Sequence, residues 1–343
     1  MQYVEALLAD LDADLALLPT AQPIQSIFMG GGTPSLFSAP SLQTLLTGIR
    51  RRIDLISDCE ITLEANPGTF ESNKFQAFRD LGINRLSIGI QSFNDKHLRG
   101  LGRVHNAEEA YKAVEIAKHA GFDNLNLDLM FGLPAQTKTE ALADIETTIS
   151  LKPSHISFYQ LTLEPNTYFY QFPPKLPEDE DIFELQKSCQ TLLAEHGYAQ
   201  YEISAYAKAG FQCRHNRNYW QFGDYLGIGA GAHGKISLKL PDKIIRTAKT
   251  KHPEQYLTRT DISTIKPITR EQLPLEFVMN HLRLKAGFDL QNFSACTGLT
   301  PNRLEPALTD CITQGLLTRC DQSICCSEKG WDFLDEILEK FIP

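Results

Sequence analysis

Three times in this sequence a helix-like stretch ends in a glycine and an extended run follows within a few residues. The instances are Leu81-Gly82-Ile83 before RLSIGIQS, Ala120-Gly121-Phe122 before NLNLDLM, and His196-Gly197-Tyr198 before AQYEIS. A glycine just past the last helical residue takes the left-handed conformation that closes a helix, so the recurrence has a mechanical cause. The middle helix also opens on a capping-box pair, Asn106 three residues before Glu109. Extended runs then stand at 26–29 (SIFM), 60–65 (EITLEA), 85–92, 124–130, 155–163 (HISFYQLTL) and 199–204, with helical patterns between them. Strands that alternate with helices join by right-handed crossovers into a parallel sheet. Six such units fit a partial or closed TIM-like β/α barrel, with a doubly wound open sheet as the alternative.

Past this region the pattern changes. KISLKLPDKIIRTAKT reads as a basic hairpin with Pro241-Asp242 at its turn, carrying Lys235, Lys239, Lys243, Arg246, Lys249 and, just beyond, Lys251. From about Thr269 a helical block runs to GLLTRCDQSICCSEKG and a last helix, the order of a small winged-helix-like α+β module. The division expected is a β/α barrel domain over 1–234, the hairpin and linker over 235–268, and the module over 269–343. The module carries 7 basic against 11 acidic side chains, and the whole chain of 343 residues has a net charge of −9. Neither suits a nucleic-acid partner. No apolar run is long enough to span a bilayer, although this leaves peripheral contact with a membrane open. The opening stretch, MQYVEALLADLDADLALL, has acids where an export signal carries bases. It reads as an amphipathic helix with Val4, Leu7, Leu8, Leu11, Leu15 and Leu18 on one stripe, and the expected compartment is the cytoplasm. The 8 cysteines are then expected to be reduced, and Cys320, Cys325 and Cys326 read as small apolar residues of a hairpin.

In such a barrel, ligands sit at the carboxyl ends of the strands. Those ends carry Gly30, Gly31, Gly32 and Thr33, then Glu64, Asn66, Pro67 and Gly68, then Gln91 and Ser92 with a loop to Arg103 and His105, then Asp128, Gly132 and Pro134, then Gln160 and Glu164. Each alone is as easily structural, because strands end in water. Together they offer glycine carbonyls for an ammonium, a guanidinium for a carboxylate, and acids for ribose hydroxyls, which suits a zwitterionic ligand with a ribose. GGGTPS matches neither GxGxxG nor GxxxxGK[ST], so the glycines are not a nucleotide-phosphate loop.

In their order and spacing GGGTPS, LEANPG, SIGIQSF, LGRVH and NLDLMFGLP resemble the radical S-adenosylmethionine (SAM) family, in the branch of oxygen-independent coproporphyrinogen oxidases and HemW-type heme chaperones. The resemblance runs over essentially the whole chain. It implies that Gly31, Gly32 and Thr33 meet the methionine part of SAM, and that Glu64, Gln91, Arg103 and Asp128 make the other contacts. CRHNRNYW, over 213–220, resembles the heme-chaperone side of the branch. The implied heme-binding candidates are Cys213, His215, Asn216, Tyr219 and Trp220. A histidine can ligate heme iron, two aromatic rings can cover a porphyrin face, and the hairpin cations can attract propionates. The same residues equally suit a capped turn, a core and a solvated face. The implied function is binding of heme and its delivery to an acceptor protein. Oxidative decarboxylation of a porphyrinogen is the alternative, and a plain interaction scaffold a third reading.

One part of the family pattern is absent. The CxxxCxxC loop that holds a [4Fe-4S] cluster does not occur, and in the family it follows the first barrel strand. The sequence is therefore expected to lack that strand, as a shortened form or a degenerate member. It is expected to leave a sheet edge unpaired, to assemble no cluster and to show weak or absent SAM cleavage.

Overall fold

The computed structural model describes residues 1–69, 72–239, 243–258, 262–320 and 322–343. The Pro241-Asp242 turn lies outside the described residues, as do the side chains of Lys239, Lys243 and Cys320. Contacts group the chain into two compact units, one of Gln25–Gln43 and Asp58–Cys213, the other of Met1–Ile24, Thr44–Ser57 and Arg214–Pro343.

Through residue 213 the elements run α1 (Gln2–Leu15), β1 (Ile24–Met29), α2 (Ala39–Arg50), β2 (Leu55–Ala65), α3 (Ser72–Asp80), β3 (Arg85–Gln91), α4 (Asp95–Gly100), α5 (Ala107–His119), β4 (Asn124–Phe131), α6 (Lys138–Ser150), β5 (His155–Gln160), α7 (Tyr168–Gln171), α8 (Asp179–Glu195), β6 (Ala199–Glu202) and β7 (Ala205–Ala207). The strands form one curled half-barrel sheet in the order β1-β2-β3-β4-β5-β7-β6. Strands β2 to β5 pair in parallel. The closing glycines are as the sequence requires: Gly82, Gly121 and Gly197 have φ of +95°, +82° and +79°. The Asn106–Glu109 capping box is formed.

The AQYEIS run is not a sixth parallel strand. It turns at Ile203-Ser204, and Ala205–Ala207 comes back as β7, antiparallel to both β5 and β6. Ala199–Glu202 is left at the sheet edge.

The central strands are buried on both faces, but the faces differ in kind. On β3, Leu86, Ile88 and Ile90 alternate with Arg85, Ser87, Gly89 and Gln91. On β4, Leu125, Leu127 and Leu129 alternate with Asn124, Asn126 and Asp128, and on β5 Ile156 and Phe158 alternate with His155, Ser157 and Tyr159. Successive side chains of a strand point to opposite faces, so one face is apolar and the other polar.

The second unit adds α9 (Arg214–Trp220), β8 (His233–Lys239), β9 (Lys243–Lys249), α10 (Pro253–Thr258), β10 (Ser263–Pro267), α11 (Leu273–His281), β11 (Phe288–Asp289), α12 (Leu290–Thr297), α13 (Ala307–Thr313), β12 (Leu317–Cys320), β13 (Ser323–Cys326), α14 (Glu328–Asp332) and α15 (Leu334–Glu339). β8, β9 and β10 make one antiparallel sheet, and β11, β13 and β12 the small sheet of the winged-helix-like module. That module packs around Phe277, whose ring meets Phe288 and Phe293 edge-on at 5.2 Å and stacks on His281 at 3.9 Å. The Cys326 thiol is pushed up to about 12 by burial, so it stays protonated and unreactive.

Of the hairpin cations whose side chains are described, Lys251 is exposed, but Lys235, Arg246 and Lys249 are not part of a solvated basic face. Lys249 is buried between Asp10 and Asp14 of α1, with Nζ 2.6 Å from a carboxylate oxygen of each. Lys235 is buried on Asp224 and the Phe222 carbonyl, and Arg246 pairs with Glu276. Successive side chains of a strand point to opposite faces; Lys235 and its cross-strand partner Arg246 share one face, Lys249 takes the other, and each meets an acid. The apolar stripe of α1 accordingly contains two buried aspartates among Val4, Leu7 and Leu11.

Candidate functional site

Gly32, Thr33, Glu64, Gln91, Arg103 and Asp128 line one cavity of about 240 Å³, together with Pro34, Ala65, Asn66, Ser87, Gly89 and Tyr159. Six different chain segments supply them. β1 ends in the glycine turn, where Gly31 (φ +89°) directs its N–H onto Glu64 Oε2 at 3.2 Å. Asn66, just past β2, donates to the Thr33 hydroxyl at 3.3 Å and so fixes the turn from the other side. At the end of β3 the pairing with β4 shifts register, and Gln91 takes φ +70°, a conformation costly for a side chain of this size. Its carboxamide accepts from the Tyr159 hydroxyl of β5 at 2.8 Å. A Cβ on Gly89 would stand 3.1 Å from both the Asn66 and Gln91 side-chain amides, so the bare glycine leaves room for the two to converge without shifting.

Two acids face the space. Glu64 is pushed up to about 7, first by burial and then by the nearby Asp128 carboxylate, against the pull of the Gly31 N–H. Burial also raises Asp128, while hydrogen bonds from Ser157, Asn126 and Ser87 and the charge of Arg85 oppose the rise. A paired carboxylate site of this kind favours a cation. Arg103, half-buried on the rim, offers a fork for a carboxylate. SAM carries both charges, so these residues fit it. A [4Fe-4S] cluster they do not fit: the sequence has no CxxxCxxC spacing, and among the described residues no cysteine lines the cavity.

Four of the residues singled out at the chaperone-like stretch share one short helix. His215, Asn216, Tyr219 and Trp220 lie on α9. His215 and Tyr219 share a helix face, with ring centroids 6.2 Å apart. Tyr219 and Trp220 line a second cavity, of about 350 Å³, with Phe222, Tyr225, His233, Lys235, Arg246 and Asn280. The Trp220 indole N–H is buried and has no hydrogen-bond partner among the described residues, and the Arg283 guanidinium lies 4.3 Å from the Trp220 ring centroid. Cys213 instead belongs to the barrel unit, where it is 2% exposed and its thiol donates to Glu60 at 3.6 Å.

Reading the sequence alone passed over Tyr159, Ser87 and Gly89. Tyr159 and Ser87 alternate with apolar neighbours on their strands, and that alternation is the available signal.

A half-barrel of parallel strands with this cavity at their carboxyl ends defines the radical SAM class, and residues 4–147 match the Radical SAM superfamily profile. Residues 268–333 match the HemN C-terminal domain. The structure of coproporphyrinogen III oxidase (HemN) from Escherichia coli has the same fold, with a TM-score of 0.80 over 99% of this chain and 82% of that one at 21% identity. Closer in sequence are proteins named heme chaperone HemW. The Escherichia coli protein is 47% identical (99% of this chain, 89% of that protein), that of Haemophilus influenzae 48% (99% and 89%), and that of Bacillus subtilis 34% (99% and 91%). This chain belongs to that family. Among the described residues no helix is long and apolar enough to cross a membrane.

Proposed function

We propose that this chain is a heme chaperone of the HemW kind, binding heme in its second unit and SAM in the barrel cavity, and passing heme to an acceptor protein. What carries the reading is the aromatic-walled cavity on α9, in a chain whose full-length relatives are named heme chaperones. Tyr219 and Trp220 supply flat apolar surface for a porphyrin, and Arg246 on the cavity wall supplies a cation for a propionate. His215 is the preferred iron ligand over Cys213, whose thiol is buried against Glu60. In the barrel, Glu64 and Asp128 would face the sulfonium and ammonium of SAM, Arg103 its carboxylate, and the Gly32–Thr33 backbone its amino-acid end. The likeness to coproporphyrinogen III oxidase, at 21% identity, concerns the fold.

Heme titration followed at the Soret band tests the heme reading. Wild type is expected to shift the band, and His215→Ala to weaken binding about tenfold or more, the loss of one metal–ligand bond. No shift with wild type overturns the chaperone reading, and an unchanged spectrum for His215→Ala overturns His215 as the ligand.

A further inference from the structure

Below the barrel cavity a row of polar side chains crosses four strands. The register sets Glu64 beside Ser87, Ser87 beside Asn126 and Asn126 beside His155. Asn126 and His155 are each 2% exposed. The Asn126 amide lies 2.8 Å from Asp128 Oδ1 and 2.7 Å from the Ser87 hydroxyl, and that hydroxyl donates to Asp128 Oδ2 at 3.1 Å. On its other side Asn126 faces His155 Nδ1 at 2.6 Å, while His155 Nε2 meets the Tyr201 hydroxyl at 2.9 Å.

With Asp128 ionised, the form a cationic ligand calls for, the chemistry of these groups allows one arrangement. An ionised carboxylate only accepts, so the amide atom facing Asp128 must be the NH₂. The atom facing His155 is then the carbonyl oxygen, which also only accepts, so His155 must carry a proton on Nδ1. The Nδ1 proton of His155 at 2.6 Å and the Ser157 hydroxyl at 3.1 Å then hold the Asn126 carbonyl oxygen, and of the two only the imidazole has a fixed direction. That amide and Ser87 together meet both oxygens of Asp128. Nothing about packing requires this row: the other face of the same strands is Leu, Ile and Phe.

We propose that His155 and Asn126 are positioning residues for the ligand-facing carboxylate of Asp128, with the Nδ1 proton of His155 fixing the Asn126 amide, Asn126 and Ser87 fixing Asp128, and Tyr201 holding the far side of the imidazole. The inference rests on the reading of the barrel cavity as a SAM site. His155 would touch no ligand; it acts through Asn126.

Two measurements test it. In protein labelled with ¹⁵N-histidine, the resonance that disappears in His155→Gln is expected to report a protonated Nδ1; an Nδ1 without a proton overturns the proposal, and this needs no variant to function. Calorimetric titration with SAM then separates positioning from bulk. Glutamine offers a donor at one end and an acceptor at the other, so His155→Gln is expected to keep affinity within about threefold, whereas His155→Phe and Asn126→Leu lose about tenfold or more, the scale of a charge-assisted hydrogen bond. Folded Phe and Leu variants that bind as wild type overturn the positioning role while leaving the SAM site standing. A wild-type chain that binds no SAM overturns the cofactor reading and this inference with it.

Discussion

Acidification through neutrality should loosen the barrel cavity's hold on a cationic ligand, and Glu64 should set the range. Its carboxyl is pushed up to about 7 from an ordinary 4.5, chiefly by burial and next by Asp128. The sulfonium needs the carboxylate, so the observed affinity scales with the ionised fraction of Glu64. With a midpoint near 7, that fraction rises from about 0.09 at pH 6 to about 0.76 at pH 7.5, so the dissociation constant for SAM should tighten about eightfold. The stability of the ligand-free protein should run the other way. A raised acid holds its proton more tightly folded than unfolded, so its contribution is complete below 4.5 and disappears as pH climbs through 7. Calorimetric titration at both pH values, on wild type and Glu64→Gln, reads the first effect. The variant should bind more weakly at pH 7.5 and show little change between the two pH values. A wild-type affinity that is flat, or that tightens on acidification, refutes the argument.

Lys249→Met leaves Asp10 and Asp14 buried with no cation between them, so urea unfolding should show a loss of about 3–5 kcal/mol. Adding Asp10→Asn and Asp14→Asn to that variant should return part of it; a loss under about 1 kcal/mol would mean the triad matters little. Gly287→Ala should cost more than about 1 kcal/mol in the same assay, because its Cβ would collide with the Ile324 carbonyl at a φ of +61°. Iron and sulfide analysis after anaerobic reconstitution of this sequence should find no stoichiometric cluster, since its cysteines lack the CxxxCxxC spacing.

Local physics carried most of the fold into the sequence. Glycine at a helix end and a capping pair act within a few residues, and they placed α3, α5 and α8 and the strands after them. The cavity was legible because a parallel barrel turns strand order into a shared rim: Gly32, Glu64, Gln91, Arg103 and Asp128 did meet. What escaped depends on partners far along the chain. Lys249 looks like a solvated lysine until Asp10 and Asp14 stand beside it, 239 and 235 residues away. The return of Ala205–Ala207 between β5 and β6 is three residues long, too short for any periodicity to register. His155 and Asn126 are polar residues on buried strands, and only register reveals that they face each other.

The lysine between two aspartates also sets a timetable for synthesis. The helix Gln2–Leu15 leaves the ribosome early, yet Lys249 and Tyr256, which hold its Asp14 and Asp10, follow 235 and 246 residues later. At about 5–20 residues per second, that interval lasts roughly 10–50 s. A lone helix of 14 residues is marginal in water, so through that time the segment has only nearer partners such as Arg52, which pairs with Asp12 at 2.7 Å, while Asp10 and Asp14 wait for their cation. The half-barrel strands are all translated before Lys249 can close the triad, so the two aspartates of this helix are among the last groups to be neutralised.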